Sequence, residues 1–232
     1  MDILGLEKLS LVDFDGYVSA TLFTGGCNFK CPFCHNSPLV LSHKALPVIP
    51  ENEVLDFLKK RQGLLEGVCI SGGEPTLNKD LPDFILKVKN LGYKVKLDTN
   101  GTNPTLVKSL FNDGLVDYFA MDIKNDRDNY AKIIGLDYYD TKKVEQTVDF
   151  FLSENVDYEF RTTLIKEFHG KSNILSIANW IKGANKYFLQ KFKNSESCIE
   201  SHLSPVEDKI ALEFRDILLE YIPFVRLRGY DL

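Results

Sequence analysis

The chain has 232 residues, a formal net charge of -5 at pH 7 and a hydrophobic content of 44%. This length supports one sizeable core, and we expect a single domain over residues 1–232. The acidic balance gives no general attraction to nucleic acid or to an anionic membrane surface. No apolar run approaches the ~18 residues of a membrane span, and the first residues lack the features of a signal peptide. We therefore expect a cytoplasmic protein that binds neither nucleic acid nor membrane.

Short apolar runs alternate with amphipathic segments along the chain, which predicts βαβ units and a parallel sheet. Strands are predicted at 17–23, 68–71, 93–97, 116–123, 158–164 and 187–192, with a short final strand at 224–228. Helices are predicted at 51–62, from 78 or 80 to 90, 104–111, 141–153 and 173–182, and the last one opens at Ser204 with a capping box to Glu207. The spacing allows an incomplete (β/α)6 barrel or an open doubly wound sheet.

Three of the five cysteines lie in the loop after the first strand, which we place at residues 24–46. Cys27, Cys31 and Cys34 have the spacing C-x3-C-x2-C, and thiolates suit iron–sulfur clusters and zinc. A zinc site with His35 as fourth ligand is disfavoured because His35 is adjacent to Cys34. A disulfide is disfavoured by reducing conditions and by the odd cysteine count. A four-iron cluster normally takes four cysteines, so three would leave one iron open to another ligand.

Three further polar motifs follow predicted strands, at the edge where parallel α/β folds bind ligands. They are Gly72-Gly73-Glu74-Pro75, Asp98-Thr99-Asn100-Gly101 and Asp122-Ile123-Lys124. The two glycines would let the backbone approach a ligand, and Glu74 could accept hydrogen bonds from an ammonium group. The alternatives are an ordinary turn at Glu74, a turn-capping Asp98, and a plain salt bridge between Asp122 and Lys124.

The cysteine spacing, with Phe33 before the third cysteine and the Gly-Gly-Glu-Pro run, resembles the radical S-adenosylmethionine enzymes. The resemblance implies an incomplete (β/α)6 TIM-type barrel and one [4Fe-4S] cluster on Cys27, Cys31 and Cys34. It also implies that S-adenosylmethionine chelates the fourth iron, with its amino group held by Gly72, Gly73 and Glu74.

A narrower resemblance is to the activating enzymes of glycyl radical enzymes, including the pyruvate formate-lyase activating enzyme. It implies that Asp98 and Asp122 help bind a monovalent cation, and that Lys124 contacts the cofactor or the substrate peptide as the catalytic residue. We expect Phe33, Asn36 and Arg161 to be further cofactor contacts, with a strand-end salt bridge as the alternative for Arg161. Several runs look most like the anaerobic ribonucleoside-triphosphate reductase activating proteins, namely 11–16, 25–29, 34–36, 160–163 and 227–229.

The function implied by these resemblances is reductive cleavage of S-adenosylmethionine to a 5′-deoxyadenosyl radical. That radical would generate a glycyl radical on a partner enzyme, anaerobic ribonucleotide reductase, with flavodoxin or ferredoxin as electron donor. The alternatives are an activator of the pyruvate formate-lyase type, a radical enzyme acting on a small molecule, and a non-catalytic iron–sulfur or zinc module. The formate-lyase pattern has a histidine near the last strand, where this chain has Gln190.

The remaining cysteines and histidines have no ligand-like spacing. We interpret Cys69 as a core residue and Cys198 as incidental. His43, His169 and His202 are interpreted as surface or core residues.

Overall fold

The computed structural model describes residues 1–230. The strands are β1 Ile3–Ser10, β2 Ser19–Thr24, β3 Gly67–Gly72, β4 Lys94–Thr99, β5 Tyr118–Asp122, β6 Tyr158–Leu164, β7 Tyr187–Lys191 and β8 Val225–Arg228. The α-helices are α1 Ser37–Leu41, α2 Glu51–Lys60, α3 Leu81–Asn90, α4 Pro104–Asn112, α5 Tyr130–Ile133, α6 Lys142–Ser153, α7 Lys171–Trp180 and α8 Asp208–Leu219. No helix in this range is long and apolar enough to cross a membrane.

The eight strands form a sheet in chain order, from β1 to β8. β1 runs antiparallel to β2, whereas β2, β3 and β4 are parallel to each other, as are β6, β7 and β8. The register aligns Thr21 with Cys69 and Cys69 with Lys96, so these side chains share one face of the sheet. The predicted α/β class with a parallel sheet is confirmed.

The chain divides into two compact units. The first consists of Met1–Asn28 and Pro38–Ala120, and the second consists of Phe29–Ser37 and the chain from Met121 onward. Cys27 therefore belongs to the first unit, and Cys31 and Cys34 belong to the second. The expectation of a single domain stays a prediction.

The first unit buries the apolar face of its strands under helices. Val68 and Ile70 in β3 and Val95 and Leu97 in β4 are fully buried. The helices α2 and α3 contribute residues at helical spacing, which are Val54, Leu58, Phe84, Ile85 and Val88. Polar residues alternate with the apolar ones along β3 and β4, and they occupy the opposite face of the sheet.

The second unit has the same arrangement. Phe160 in β6 and Leu189 in β7 are fully buried. Three helices contribute apolar stripes, which are Val144 and Val148 in α6, Ile174 and Ile177 in α7, and Ala211, Phe214 and Leu218 in α8. The alternate positions of β6, Glu159 and Arg161, are polar and form ion pairs.

The structure corrects two expectations about elements. The strand β1 was not predicted, although it pairs with β2 over Ile3–Ser10. The last helix begins at Asp208, so the capping box at Ser204 was wrong. Residues of the predicted capping box instead pair with the segment after β6. Pro205 forms a β-bridge with Ile165, and the Ser204 N–H donates to Glu167 Oε2 at 3.1 Å.

Candidate functional site

The Gly-Gly-Glu-Pro turn of the first unit lies directly against the start of the cysteine loop. The Gly73 N–H donates to Thr24 O at 2.9 Å, and the Glu74 N–H donates to Gly26 O at 2.8 Å. A Cβ on Gly73 would overlap Gly26 O, and Gly72 has a φ of 116°, which disfavours other residues. Close packing of two backbone segments therefore explains both glycines, and their predicted contact with a ligand stays a prediction.

Glu74 is a fully buried carboxylate that ties this turn to the end of β4. Its Oε1 accepts from Thr76 N at 3.1 Å, Thr76 Oγ1 at 2.6 Å and Thr99 Oγ1 at 2.8 Å, and its Oε2 accepts from Asn100 N at 2.6 Å. Burial raises the pKa of Glu74, against the opposing effect of these donors. Both carboxylate oxygens have protein donors, so the predicted contact with an ammonium group stays a prediction.

Asn100 was part of a predicted motif but was not singled out as a site residue. Its side-chain Nδ2 donates to Asn28 Oδ1 at 2.9 Å and lies 3.9 Å from Cys27 Sγ. Its Oδ1 accepts from Thr102 N at 3.1 Å and from Thr102 Oγ1 at 2.7 Å. The amide is therefore held in one orientation, with one N–H towards the sulfur of a predicted cluster ligand.

Asp98 is the penultimate residue of β4 and lies among donors from the same face of the sheet. Its Oδ2 accepts from Ser71 Oγ at 3.0 Å, and its Oδ1 lies 3.8 Å from Cys69 Sγ and 3.7 Å from Lys96 Nζ. Cys69 is almost fully buried, as its interpretation as a core residue required. The buried Lys96 was not noticed in the sequence, where a lysine in a strand indicates only an exposed position.

In the second unit, Cys31 and Cys34 flank a tight turn in which the Cys34 N–H donates to Cys31 O at 2.9 Å. Cys31 and the intervening Phe33 are buried, and Cys34 is partly exposed. Burial raises the pKa of the Cys34 thiol, while the backbone N–H of Asn36 and the ammonium of Lys124 act in the opposite direction. Two cysteine sulfur atoms on one tight turn are suitable ligands for an iron–sulfur cluster.

The segment after β7 holds this turn from one side. The Glu200 N–H donates to Pro32 O at 2.8 Å, and Cys198 Sγ lies 3.9 Å from Phe33 O. The His35 ring stacks on the Phe192 ring, with 5.5 Å between the ring centroids, and His35 Nε2 contacts Lys193 O. His35 therefore has a packing role, and Cys198 lies against the cysteine turn.

Asp122, Lys124 and Arg161 form a cluster at the end of β5 and the middle of β6. Asp122 Oδ2 accepts from Lys124 Nζ at 2.9 Å, and its Oδ1 accepts from Arg161 Nε at 3.0 Å. Burial would raise the pKa of Asp122, but Arg161 and Lys124 outweigh it and lower that pKa to about 2. Burial would lower the pKa of Lys124, but the negative charge of Asp122 outweighs burial and raises that pKa. Lys124 Nζ lies 5.8 Å from the Phe33 ring centroid. The salt bridges considered as alternatives are present, and they hold Lys124 beside the cysteine turn.

His169 supports the backbone of Lys124. This buried side chain accepts from Ile165 N at 3.0 Å through Nδ1, and its Nε2 donates to Lys124 O at 2.9 Å. This role leaves no local signal in the sequence, because His169 is 45 residues away from Lys124. Gln190 lies in β7, aligned with Thr163 and Arg228, and its proposed replacement of a histidine stays a prediction.

The sulfur donors suit an iron–sulfur cluster chemically, but the three-cysteine ligand set stays a prediction. Among residues 1–230, no group of three or more His, Cys, Asp or Glu side chains is arranged to hold a metal ion. Asn36 is partly exposed and contacts Cys34 through its backbone. The cofactor contacts expected of Phe33, Asn36 and Arg161 likewise stay predictions.

Comparisons with known proteins bear on the family to which this chain belongs. The family model described as the radical SAM superfamily matches residues 21–171. A "Putative glycyl-radical enzyme activating enzyme" of Methanocaldococcus jannaschii is 34% identical, over 97% of this chain and 95% of the relative. A second protein of that description from the same organism is 28% identical, over 95% of this chain and 83% of its own length.

A crystal structure of a radical SAM methyltransferase from Sphaerobacter thermophilus has a similar fold. Its TM-score is 0.74 at 15% identity, and the match covers 96% of this chain and 69% of that one. At this identity the likeness concerns the fold alone. It confirms the predicted fold class, a parallel-sheet partial TIM-type barrel.

Proposed function

Because the chain belongs to the radical SAM superfamily, we propose that this enzyme activates a glycyl radical enzyme. The observation that carries the proposal is the 34% identity to a relative of that description over nearly the full length of both chains. A partner protein would be the substrate, and we propose anaerobic ribonucleotide reductase as that partner. The resemblance at 160–163 and 227–229 supports this choice over pyruvate formate-lyase.

Family membership implies a [4Fe-4S] cluster and S-adenosylmethionine. We propose Cys27, Cys31 and Cys34 as the three protein ligands. When bound, the cluster would supply the one electron for reductive cleavage of S-adenosylmethionine to methionine and a 5′-deoxyadenosyl radical, which would take a hydrogen atom from a glycine of the partner. The chain's own residues bind and orient these groups and exclude water.

The second unit offers a positioning role for Asp122, Arg161 and His169. Asp122 fixes the side chain of Lys124, Arg161 fixes Asp122, and His169 fixes the backbone of Lys124. Lys124 is therefore held as a cation beside Phe33, where it is our candidate for contact with the cofactor or the substrate peptide.

In the first unit, we propose that the polar groups of the 72–75 turn bind the amino end of S-adenosylmethionine. Glu74 fixes the shape of this turn through its four internal hydrogen bonds. We further propose flavodoxin or ferredoxin as the electron donor and a cytoplasmic location, where reducing conditions keep the cysteines available.

The test is to mix the anaerobically reconstituted, reduced enzyme with S-adenosylmethionine and purified anaerobic ribonucleotide reductase from the same organism. Electron paramagnetic resonance should show an organic radical on the partner. A partner variant with alanine at its radical-bearing glycine is the control, and it should give no signal.

Two other outcomes would redirect the proposal. The enzyme could cleave S-adenosylmethionine and form a radical on pyruvate formate-lyase but none on the reductase. That result would replace the reductase by pyruvate formate-lyase as the proposed partner. Cleavage that neither protein affects would favour a small-molecule substrate.

A further inference from the structure

The negative charge of Asp98 is already balanced inside the first unit. Its Oδ1 lies 3.7 Å from the ammonium of Lys96, and its Oδ2 accepts from Ser71 Oγ at 3.0 Å. The Cys69 thiol lies on the Oδ1 side at 3.8 Å. Both oxygens of the carboxylate therefore have protein donors, which are Ser71 and Cys69, and the Lys96 ammonium lies within ion-pair distance of Oδ1.

Lys96 is an unusual residue for a parallel strand. Its side chain is 5% exposed, and a buried ammonium is costly unless it is paired and hydrogen-bonded. Its Nζ donates to Asp13 O and lies 5.9 Å from the Tyr118 ring centroid. Asp13 is fixed in turn, because its Oδ2 accepts from Thr21 Oγ1 at 2.6 Å. These contacts direct the ammonium towards Asp98.

A monovalent cation at Asp98, as implied by the resemblance, does not fit this arrangement. The ion would share the carboxylate with Lys96, and repulsion between the two like charges would oppose its binding. The second carboxylate expected to bind the ion, Asp122, already has two cationic neighbours in its own unit, Lys124 and Arg161.

We infer that Lys96 supplies, from within the protein, the positive charge that a bound monovalent cation would supply at Asp98. Binding of S-adenosylmethionine is then independent of potassium and sodium. The inference concerns the same S-adenosylmethionine site as the proposed function and rests on it.

The test measures S-adenosylmethionine affinity of the reconstituted enzyme in potassium chloride, sodium chloride and choline chloride at equal ionic strength. For the wild-type protein we expect Kd values equal within about twofold. Lys96→Met removes the ammonium and keeps most of the side-chain volume. It should bind about tenfold more weakly in choline chloride, and potassium should restore much of the loss.

Lys94→Met is the matched control, because Lys94 lies on the same strand but is exposed and pairs with Asp117. It should behave as the wild-type protein in every salt. The double variant Lys96→Met/Asp98→Asn removes both charges, so it should fold even if Lys96→Met does not, and its affinity should not depend on potassium.

A wild-type enzyme that loses about tenfold in affinity in choline chloride would overturn the inference. So would a Lys96→Met variant with wild-type affinity in that salt. If no salt allows S-adenosylmethionine to bind, the proposed function fails, and thermal unfolding of the apoprotein then decides the inference separately. Potassium should raise the unfolding midpoint of the Lys96→Met variant. If that variant does not fold, the wild-type protein alone is measured, and potassium should leave its unfolding midpoint unchanged. A wild-type midpoint that potassium raises would contradict the inference.

Discussion

At the scale of single residues, Glu74 links two segments of chain that its sequence motif does not connect. Replacing it by glutamine would put an amide N–H₂ against one of the four donors, most directly the Asn100 N–H. A buried donor without an acceptor is costly, so Glu74→Gln should lower the free energy of unfolding by about 2 kcal/mol or more. Urea denaturation of the apoprotein measures the change.

The control for this prediction is Glu213→Gln, since Glu213 is exposed on α8. It should change the free energy of unfolding by less than about 0.5 kcal/mol. Equal stability of the two variants would show that the hydrogen bonds of Glu74 contribute little to the fold.

Asn100 is the residue whose role depends most on the proposed cluster. An N–H directed at a cysteine sulfur stabilises the reduced, more negative state of a cluster and raises its reduction potential. Asn100→Leu keeps a similar volume and removes the donor 3.9 Å from Cys27 Sγ, so the potential should become more negative. A redox titration followed by electron paramagnetic resonance measures it.

A purely structural role for Asn100 would leave that potential unchanged while lowering stability. Asn103→Leu is a suitable comparison, because the side chain of Asn103 caps α4 and donates to Thr76 O. It should lower stability without shifting the potential.

At the scale of elements, His169 couples the loop after β6 to the end of β5. Burial lowers the pKa of His169, against the opposing effects of its backbone hydrogen bonds and of Asp126. Its pKa in the folded state is thus below the unfolded value of 6.5, and the unfolded chain binds more protons as the pH falls. The contribution of His169 to stability is therefore complete above pH 6.5 and is lost below it.

His169→Gln cannot gain this proton, so it should be less sensitive to acid. The difference in free energy of unfolding between the wild-type protein and the variant should be larger at pH 7.5 than at pH 5. Urea denaturation at both pH values measures it, and a constant difference would contradict the assigned pKa direction.

Elements with clear periodicity could be predicted from the sequence. Seven of the eight strands and most helices were, because alternating burial and helical spacing leave local signals. β1 leaves only a weak signal, since Gly5 lies inside it and Leu9 does not continue the alternation of Leu4 and Leu6. Ser204 was misinterpreted because its sequence suits a helix cap, whereas tertiary pairing with the segment after β6 uses its backbone instead.

The site shows the same difference between features with a local sequence signal and features set by tertiary contacts. The motif residues at the strand ends were identified because their chemistry is local. Lys96, Asn100 and His169 act through neighbours distant in sequence, so only the fold reveals their contacts. A lysine inside a strand and a histidine after one have ordinary interpretations until their surroundings are known.

At the scale of the whole molecule, cluster loading should stabilise the fold, because a ligand that binds only the folded state adds to its stability. The anaerobically reconstituted protein should have a higher unfolding midpoint than the apoprotein, and removal of iron by a chelator should reverse the gain. Differential scanning calorimetry measures both. A variant with alanine at Cys27, Cys31 and Cys34 should show no such rise after the same reconstitution. An equal rise in its unfolding midpoint would contradict the ligand assignment.

The central claim is that this chain cleaves S-adenosylmethionine reductively on a cluster held by three cysteines. The most direct measurement is 5′-deoxyadenosine formed by the reconstituted enzyme, with and without a chemical reductant, beside the Cys31→Ala variant. We predict product that depends on reduction in the wild-type enzyme and none in the variant. Equal product from Cys31→Ala, or no product from a wild-type enzyme with four irons per chain and its partner present, would contradict the account.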